Sequence, residues 1–447
     1  MEFFKQLLNA DILGDGFLLV WSVLSAAVVL YLLFKEWNVR WFVKALLALV
    51  AGAGLGWLVA WWLITVQDAF GDGIILPVWL WSAAVFAGLA LAVLNLRRSR
   101  WWRKAVAVVG VLLFTATAAF QINAAYGLNP TLGALLNINT ANPLEVAGKD
   151  HWKSENLQRP LYEEWKAPAD LPAVGQIGTT PRYIPAAHSG FPARWSALYL
   201  PPAALVKNPP RLPVIIFMLG QPGHPDARLM GYAVNAYAAQ HHGLGPIVVG
   251  VDQLSDPSLD PLCLDTSMGK VETYMMKDVV PWIRNNLPVR QDRKDWAIVG
   301  YSNGGSCAAY FGSKYPQVFG SFAGLGAEAF QGSDHSAEVL RDVFHGDQAA
   351  YNAVRPMNIM AKRAPYRDTR AIFTVGQNDG VFLPAAQAYT AAARKAGMDT
   401  SLYIVPHGDH SHTGLDGGIE KTLQWLYPRM GLAAPGTVPY VASLTSP

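Results

Sequence analysis

Hydrophobic residues follow two unlike patterns along this chain. Between residues 16 and 126 they form four long, nearly unbroken runs, at about 16–34, 41–66, 74–96 and 105–126. Each reaches or nearly reaches the roughly 20 residues that carry a helix across a bilayer. A cleaved signal peptide accounts for one such run at most, so four membrane-spanning helices are expected. Beyond residue 174 the apolar runs shorten and alternate with helical patterns. Strands are expected near 175–185, 194–201, 212–219, 246–251, 295–301, 320–327, 370–376 and 400–405, and helices near 227–240, 270–286, 303–315, 384–396 and 418–427. Short apolar strands alternating with helices predict a mostly parallel sheet covered on both faces. The first two strands, with no helix between them, suit an antiparallel edge. The expected organisation is an α-helical membrane domain over 1–128, a linker or collar over 129–173, an α/β domain over 174–432 and a tail over 433–447.

Polar positions around the long runs set an orientation. Trp37, Trp41, Trp61, Trp62, Trp101 and Trp102 cluster at their ends, where amphipathic rings favour the membrane interface. Lys35, Arg40 and Lys44 flank the first connection and Arg97, Arg98, Arg100, Arg103 and Lys104 the third, whereas the second carries only Asp68 and Asp72. By the positive-inside rule the first and third loops are cytoplasmic, so both termini and the α/β domain are expected on the extracytoplasmic side. Ionisable residues are nearly absent from mid-span, which argues against a transport path and for an anchor or docking surface.

Composition agrees: 52% hydrophobic against 15% charged residues is too apolar for an average soluble protein. The formal charge of +3 carries little information, because much of the basic excess lies in those loops. No basic-aromatic patch suggests nucleic acid. Cys263 and Cys307 both fall in the exported part, where an oxidising location permits a disulfide. Cys307 equally suits a small buried free thiol, and the sequence leaves the two alternatives open.

The chemistry centres on Ser302. The apolar run 295–299 leads into Gly300-Tyr301-Ser302-Asn303-Gly304, the sequence form of a nucleophile elbow, and a small-residue helix pattern follows. A serine hydroxyl needs an adjacent base, itself oriented by an acid. Downstream, the strand pattern 371–375 runs into Asp379, and 401–405 runs into His407, His410 and His412. Their placement in strand-end loops nominates Asp379 as acid and His410 as base, with Glu328 a rival acid and Asp409 too near His410 in sequence to orient it easily. An oxyanion hole needs two convergent N–H groups. Asn303 supplies one candidate, and Gly220 or Gln221 the other, since Pro222 has no N–H. His224, Asp252, Tyr301 and His412 are candidate pocket residues; His224 also reads as an exposed loop histidine and Asp252 as a turn cap. No zinc motif surrounds the histidines, and neither metal nor cofactor is expected.

From 212 to 330 the chain resembles the esterase branch of the α/β-hydrolases that includes esterase D-like enzymes and mycolyltransferases. The resemblance rests on 214–220, 248–252, Val271-Glu272-Thr273-Tyr274, Val280-Pro281-Trp282-Ile283, the elbow, and Tyr315-Pro316 with Phe319. Gly408-Asp409-His410 extends it to about 250 residues. It implies an α/β-hydrolase fold over 174–432 and ester hydrolysis or acyl transfer through a serine acyl-enzyme. Mycolyltransferases carry an acidic residue after the first central strand, where this chain reads Met218-Leu219-Gly220, and four spans replace their signal peptide. The four-span layout also resembles enzymes that remove aminoacyl groups from phosphatidylglycerol. The expected function is a membrane-anchored extracytoplasmic serine esterase of envelope lipids. An acyltransferase, an aminoacyl-phospholipid hydrolase and a non-catalytic envelope module are the alternatives.

Overall fold

Long apolar helices and short buried strands segregate along the chain. A computed structural model describes residues 2–67, 74–127, 129–154 and 159–438. It divides into two compact units between Thr140 and Ala141.

The first unit holds four helices long and apolar enough to cross a membrane. They are α1 (Asp15–Leu33), α2 (Val39–Trp61, continued by a wider turn through Val66), α3 (Leu76–Leu96) and α4 (Trp101–Tyr126). Leu19, Leu46, Leu47, Val93, Val109 and Leu112 point outward, an apolar surface that water would not tolerate and lipid tails would cover. The polar groups inside are satisfied. The Asn95 side chain donates to Leu91 O and Leu32 O, and Arg103 Nε donates to Asn95 Oδ1. Asp68 and Asp72, which entered the orientation argument, lie outside the described residues.

The second unit is built on an eight-stranded sheet. Its strands are β1 (Gln176–Thr179), β2 (Ala197–Leu200), β3 (Val214–Met218), β4 (Ile247–Gly250), β5 (Trp296–Tyr301), β6 (Ser321–Leu325), β7 (Arg370–Gly376) and β8 (Asp399–Val405), in spatial order β1-β2-β4-β3-β5-β6-β7-β8. β2 pairs antiparallel with both β1 and β4, and the remaining pairings are parallel. Helices α5 (Arg228–Gln240), α6 (Val280–Asn286), α7 (Asn303–Lys314), α8 (Leu383–Lys395) and α9 (His412–Arg429) pack around it. Phe322 packs on Gly312 of α7 and Leu325 on Gly418 of α9. An odd separation along one strand puts these contacts on opposite faces, so both faces are covered. β5 is buried along its whole length.

The structure differs from the sequence reading in two places. The segment 129–173 is not one linker: Thr131 bridges to Asp11 in the first unit, whereas Pro143 and Leu144 pair with Thr179 in the second. The last helix starts at His412, well before residue 418: Gly414, Gly417 and Gly418 weaken the helical pattern in the sequence, but Gly417 and Gly418 let the helix lie close to the sheet. The interval 331–368, which joins β6 to β7, contains three short helices, and the third (Pro356–Arg363) packs beside α7 and α8 in the helical layer. Of the tail, Val438 O accepts from Gln424 and residues beyond it lie outside the described ones.

Candidate active site

Parallel strands deliver their loops to one end of the sheet, and the candidate residues gather there. Ser302 follows β5 in a backbone conformation of φ 55° and ψ −120°, sterically disfavoured for a side-chain-bearing residue. The flanking glycines permit this turn: a Cβ on Gly300 would lie 1.9 Å from Gly304 O, and one on Gly304 2.3 Å from Met218 O. Any larger residue at either position would force the turn open.

His410 Nε2 lies 3.0 Å from Ser302 Oγ, and its Nδ1 lies 2.8 Å from Asp379 Oδ2. In the neutral tautomer this network favours, Ser302 donates to Nε2 and Nδ1–H donates to Asp379. The imidazole sits between two rings, Phe382 at 3.9 Å between centroids and Tyr301 at 5.0 Å, both nearly parallel to it. Asp379 is 4% exposed, which limits the competition of water for its carboxylate. His407 and His412 are exposed, and His412 opens α9 one turn before Asp416. Asp409 is occupied by the hydroxyls of Ser411 and Thr413.

The N–H groups of Asn303, Gly220 and Gln221 have no acceptor among the described residues. Gly220 lies beside the serine, since a Cβ there would come 2.9 Å from Ser302 Cβ. The loop bearing it is pinned from two sides. Gln253 Nε2 donates to Leu219 O at 2.5 Å, and Arg194 donates to Gly223 O at 3.0 Å. Arg194 in turn makes a two-pronged pair with Asp252, whose carboxylate also accepts from the N–H groups of Arg194, Leu254 and Ser255. Asp252 is therefore fully engaged and 1% exposed, a positioning group for the loop and not an open pocket residue. His224 is largely enclosed and lies 3.6 Å from Asp226, correcting its reading as an exposed loop histidine.

A second cluster adjoins Asn303. Glu328 does not reach His410; its Oε2 is enclosed without a hydrogen-bond partner. Burial, then the charges of Asp260 and Asp334, push its carboxyl well above the usual range. Burial likewise raises Asp260 to about 6, against hydrogen bonds from Leu262 N–H and the Asn303 side chain. Cys263, three residues on, is disulfide-bonded to Cys307 in α7, with Cα atoms 5.6 Å apart. Arg194, Phe382 and Asp260 carry no motif, and nothing in the sequence singles them out.

Fold and site together define an α/β-hydrolase with a serine–histidine–aspartate arrangement at the carboxyl ends of its strands. The model of the family described as Putative esterase matches residues 196–425. The chain is also 30% identical over 363 residues to the uncharacterized protein Cgl0967/cg1104 of Corynebacterium glutamicum, covering 79% of this chain and 83% of that one. This chain belongs to that esterase family and is an ester hydrolase. Among solved structures it is similar to a ferulic acid esterase (17% identity, TM-score 0.46, 57% of this chain and 99% of that one). It is likewise similar to an S-formylglutathione hydrolase of Agrobacterium tumefaciens (19% identity, TM-score 0.46, 57% and 95%).

Proposed function

We propose that this esterase is anchored in the membrane by its four apolar helices and hydrolyses carboxylic esters of envelope lipids on the extracytoplasmic side, with Ser302 as nucleophile. The observation that carries the mechanism is the continuous chain from Ser302 Oγ through His410 to Asp379, beside N–H groups without acceptors. Ser302 Oγ attacks the ester carbonyl while its proton passes to His410 Nε2. Negative charge gathers on the carbonyl oxygen, where the N–H groups of Asn303 and of Gly220 or Gln221 stabilise it. The intermediate collapses, the alcohol leaves with the proton from His410, and the acyl group remains on Ser302. Water, deprotonated by His410, then releases the acid and restores the serine. Asp379 holds the ring in the required tautomer and stabilises its charged form.

The basic first and third loops support the extracytoplasmic side. The acidic cluster of Asp260, Glu328 and Asp334 beside Asn303 favours one narrower reading, an acyl group bearing an amine. An ammonium entering there would offset the mutual repulsion of the carboxylates and draw them toward their ionised forms.

The test uses full-length protein in detergent. Wild type is expected to cleave short-chain esters and to react with a fluorophosphonate, and Ser302→Ala to do neither. A lipid that accumulates in a deletion strain, and is cleared by wild type but not by Ser302→Ala, identifies the substrate. Equal turnover by wild type and variant would overturn the mechanism. For the narrower reading, an alanyl ester should be cleaved at least about tenfold faster than the acetyl ester of the same alcohol. Glu328→Gln should erase that preference; equal rates on the two esters in wild type would reject it.

A further inference from the structure

The amino ends of the same strands hold a cleft of about 780 Å³, remote from the chemistry. Arg211 precedes β3, Gln291 precedes β5 and Val318 precedes β6, whereas Ser302, Asp379 and His410 follow the carboxyl ends of their strands. Lys149, Arg211 and Arg284 line the cleft together with Trp152, Ser154 and Asn285, and no carboxylate lines it among the described residues. Two of the cations lie over the Trp152 ring, Arg211 at 5.2 Å and Lys149 at 6.0 Å, while Arg284 lies over Trp296 at 5.0 Å.

None of the three cations forms an ion pair among the described residues. Arg284 Nε is enclosed without a hydrogen-bond partner, and burial pulls the guanidinium below its usual pKa. A partly desolvated cation without a partner is unfavourable, and an anion bound between the three would offset that cost. Guanidinium groups match the paired oxygens of a phosphate, and the Trp152 edge and face suit the short carbon skeleton attached to it. The volume falls within the range of pockets for small ligands.

We propose that this cleft binds a phosphate ester, at a site separate from the catalytic one. The ligand held there is not the ester that Ser302 cleaves, because the two sites occupy opposite ends of the sheet. Lys149 and Trp152 lie near the start of the second unit, which begins at Ala141 and follows the apolar helices in the chain. An anionic phospholipid headgroup is therefore one source of the phosphate, and a free phosphate ester the other.

The experiment measures binding of sn-glycerol 1-phosphate and of phosphatidylglycerol to full-length protein in zwitterionic detergent. Native mass spectrometry and thermal shift are the readouts, with diacylglycerol as the uncharged control. Arg211→Gln/Arg284→Gln is expected to weaken binding at least about tenfold while leaving short-chain ester hydrolysis unchanged. Lys149→Gln alters only an exposed side chain, so folding is not at issue, and should weaken binding about threefold. Binding of both probes, or of phosphatidylglycerol alone, identifies the headgroup as the source. Binding of glycerol phosphate alone identifies a soluble ester. Failure of both to bind wild type, or equal binding by wild type and Lys149→Gln, overturns the proposal whatever the fate of the esterase mechanism.

Discussion

Phe382 lies face to face with His410, the ring centroids 3.9 Å apart and the planes inclined by 12°. With Tyr301 on the other face, it leaves the imidazole little freedom to rotate away from Ser302 and Asp379. Phe382→Ala should therefore lower kcat on a short-chain ester about tenfold with little change in KM, since it loosens the base without touching the acyl pocket. Steady-state kinetics alongside the melting temperature check this. A rise in KM with kcat intact would mean that Phe382 instead contacts substrate.

Asp252 acts on the site through Arg194, which holds Gly223 O and with it the loop of Gly220. Asp252→Ala leaves a largely buried guanidinium without its partner, a change expected to cost about 3 kcal/mol of folding stability. The freed loop should also lower kcat about tenfold or more, as expected when an oxyanion donor is misplaced. Urea unfolding and ester kinetics on the same preparation measure the two effects.

Cys263 and Cys307 close a loop between residues 44 apart. In the chain-entropy view such a crosslink stabilises by about 4 kcal/mol. The Cys263→Ser/Cys307→Ser protein should unfold at correspondingly lower urea, and reduction of wild type should reproduce the shift. The bond joins the loop after Asp260 to the helix following the elbow, so hydrolysis by the folded variant should also become more sensitive to temperature.

Asp416 in α9 is 5% exposed, with Oδ1 enclosed and unbonded. Burial raises its carboxyl from 3.8 to about 7, with His412 opposing and Glu420 adding to the rise. The folded protein then keeps a proton that the unfolded chain releases, so this group costs stability progressively as pH climbs from about 4 to about 7. Asp416→Asn should melt several degrees higher than wild type at pH 8 and almost level with it at pH 4. Thermal melts across that range test the sign.

Much of the architecture was legible because it rests on local pattern. Four apolar runs of spanning length and the strand–helix alternation after residue 174 need no distant contact to be read. Gly300-Tyr301-Ser302-Asn303-Gly304 was equally visible, since steric demands of one turn dictate both glycines. What eluded the sequence depends on partners far along the chain. That Asp252 caps a turn was readable, but its pairing with Arg194 was not, because Arg194 lies 58 positions away and in no motif. The start of α9 was hidden because its glycines oppose helix propensity, and only close packing against the sheet explains them.

The sequence by itself therefore determined the two-part organisation, the family and the strand ends on which Ser302, Asp379 and His410 lie, all consequences of periodicity and turn sterics. Only the tertiary structure decided that His410, and not His407 or His412, spans Ser302 and Asp379. It also paired Cys263 with Cys307, separated Glu328 from the histidine, and gathered three cations around a cleft at the other end of the sheet. Those outcomes turn on distances of about 3 Å between residues as much as 108 positions apart, which packing sets and local pattern does not encode.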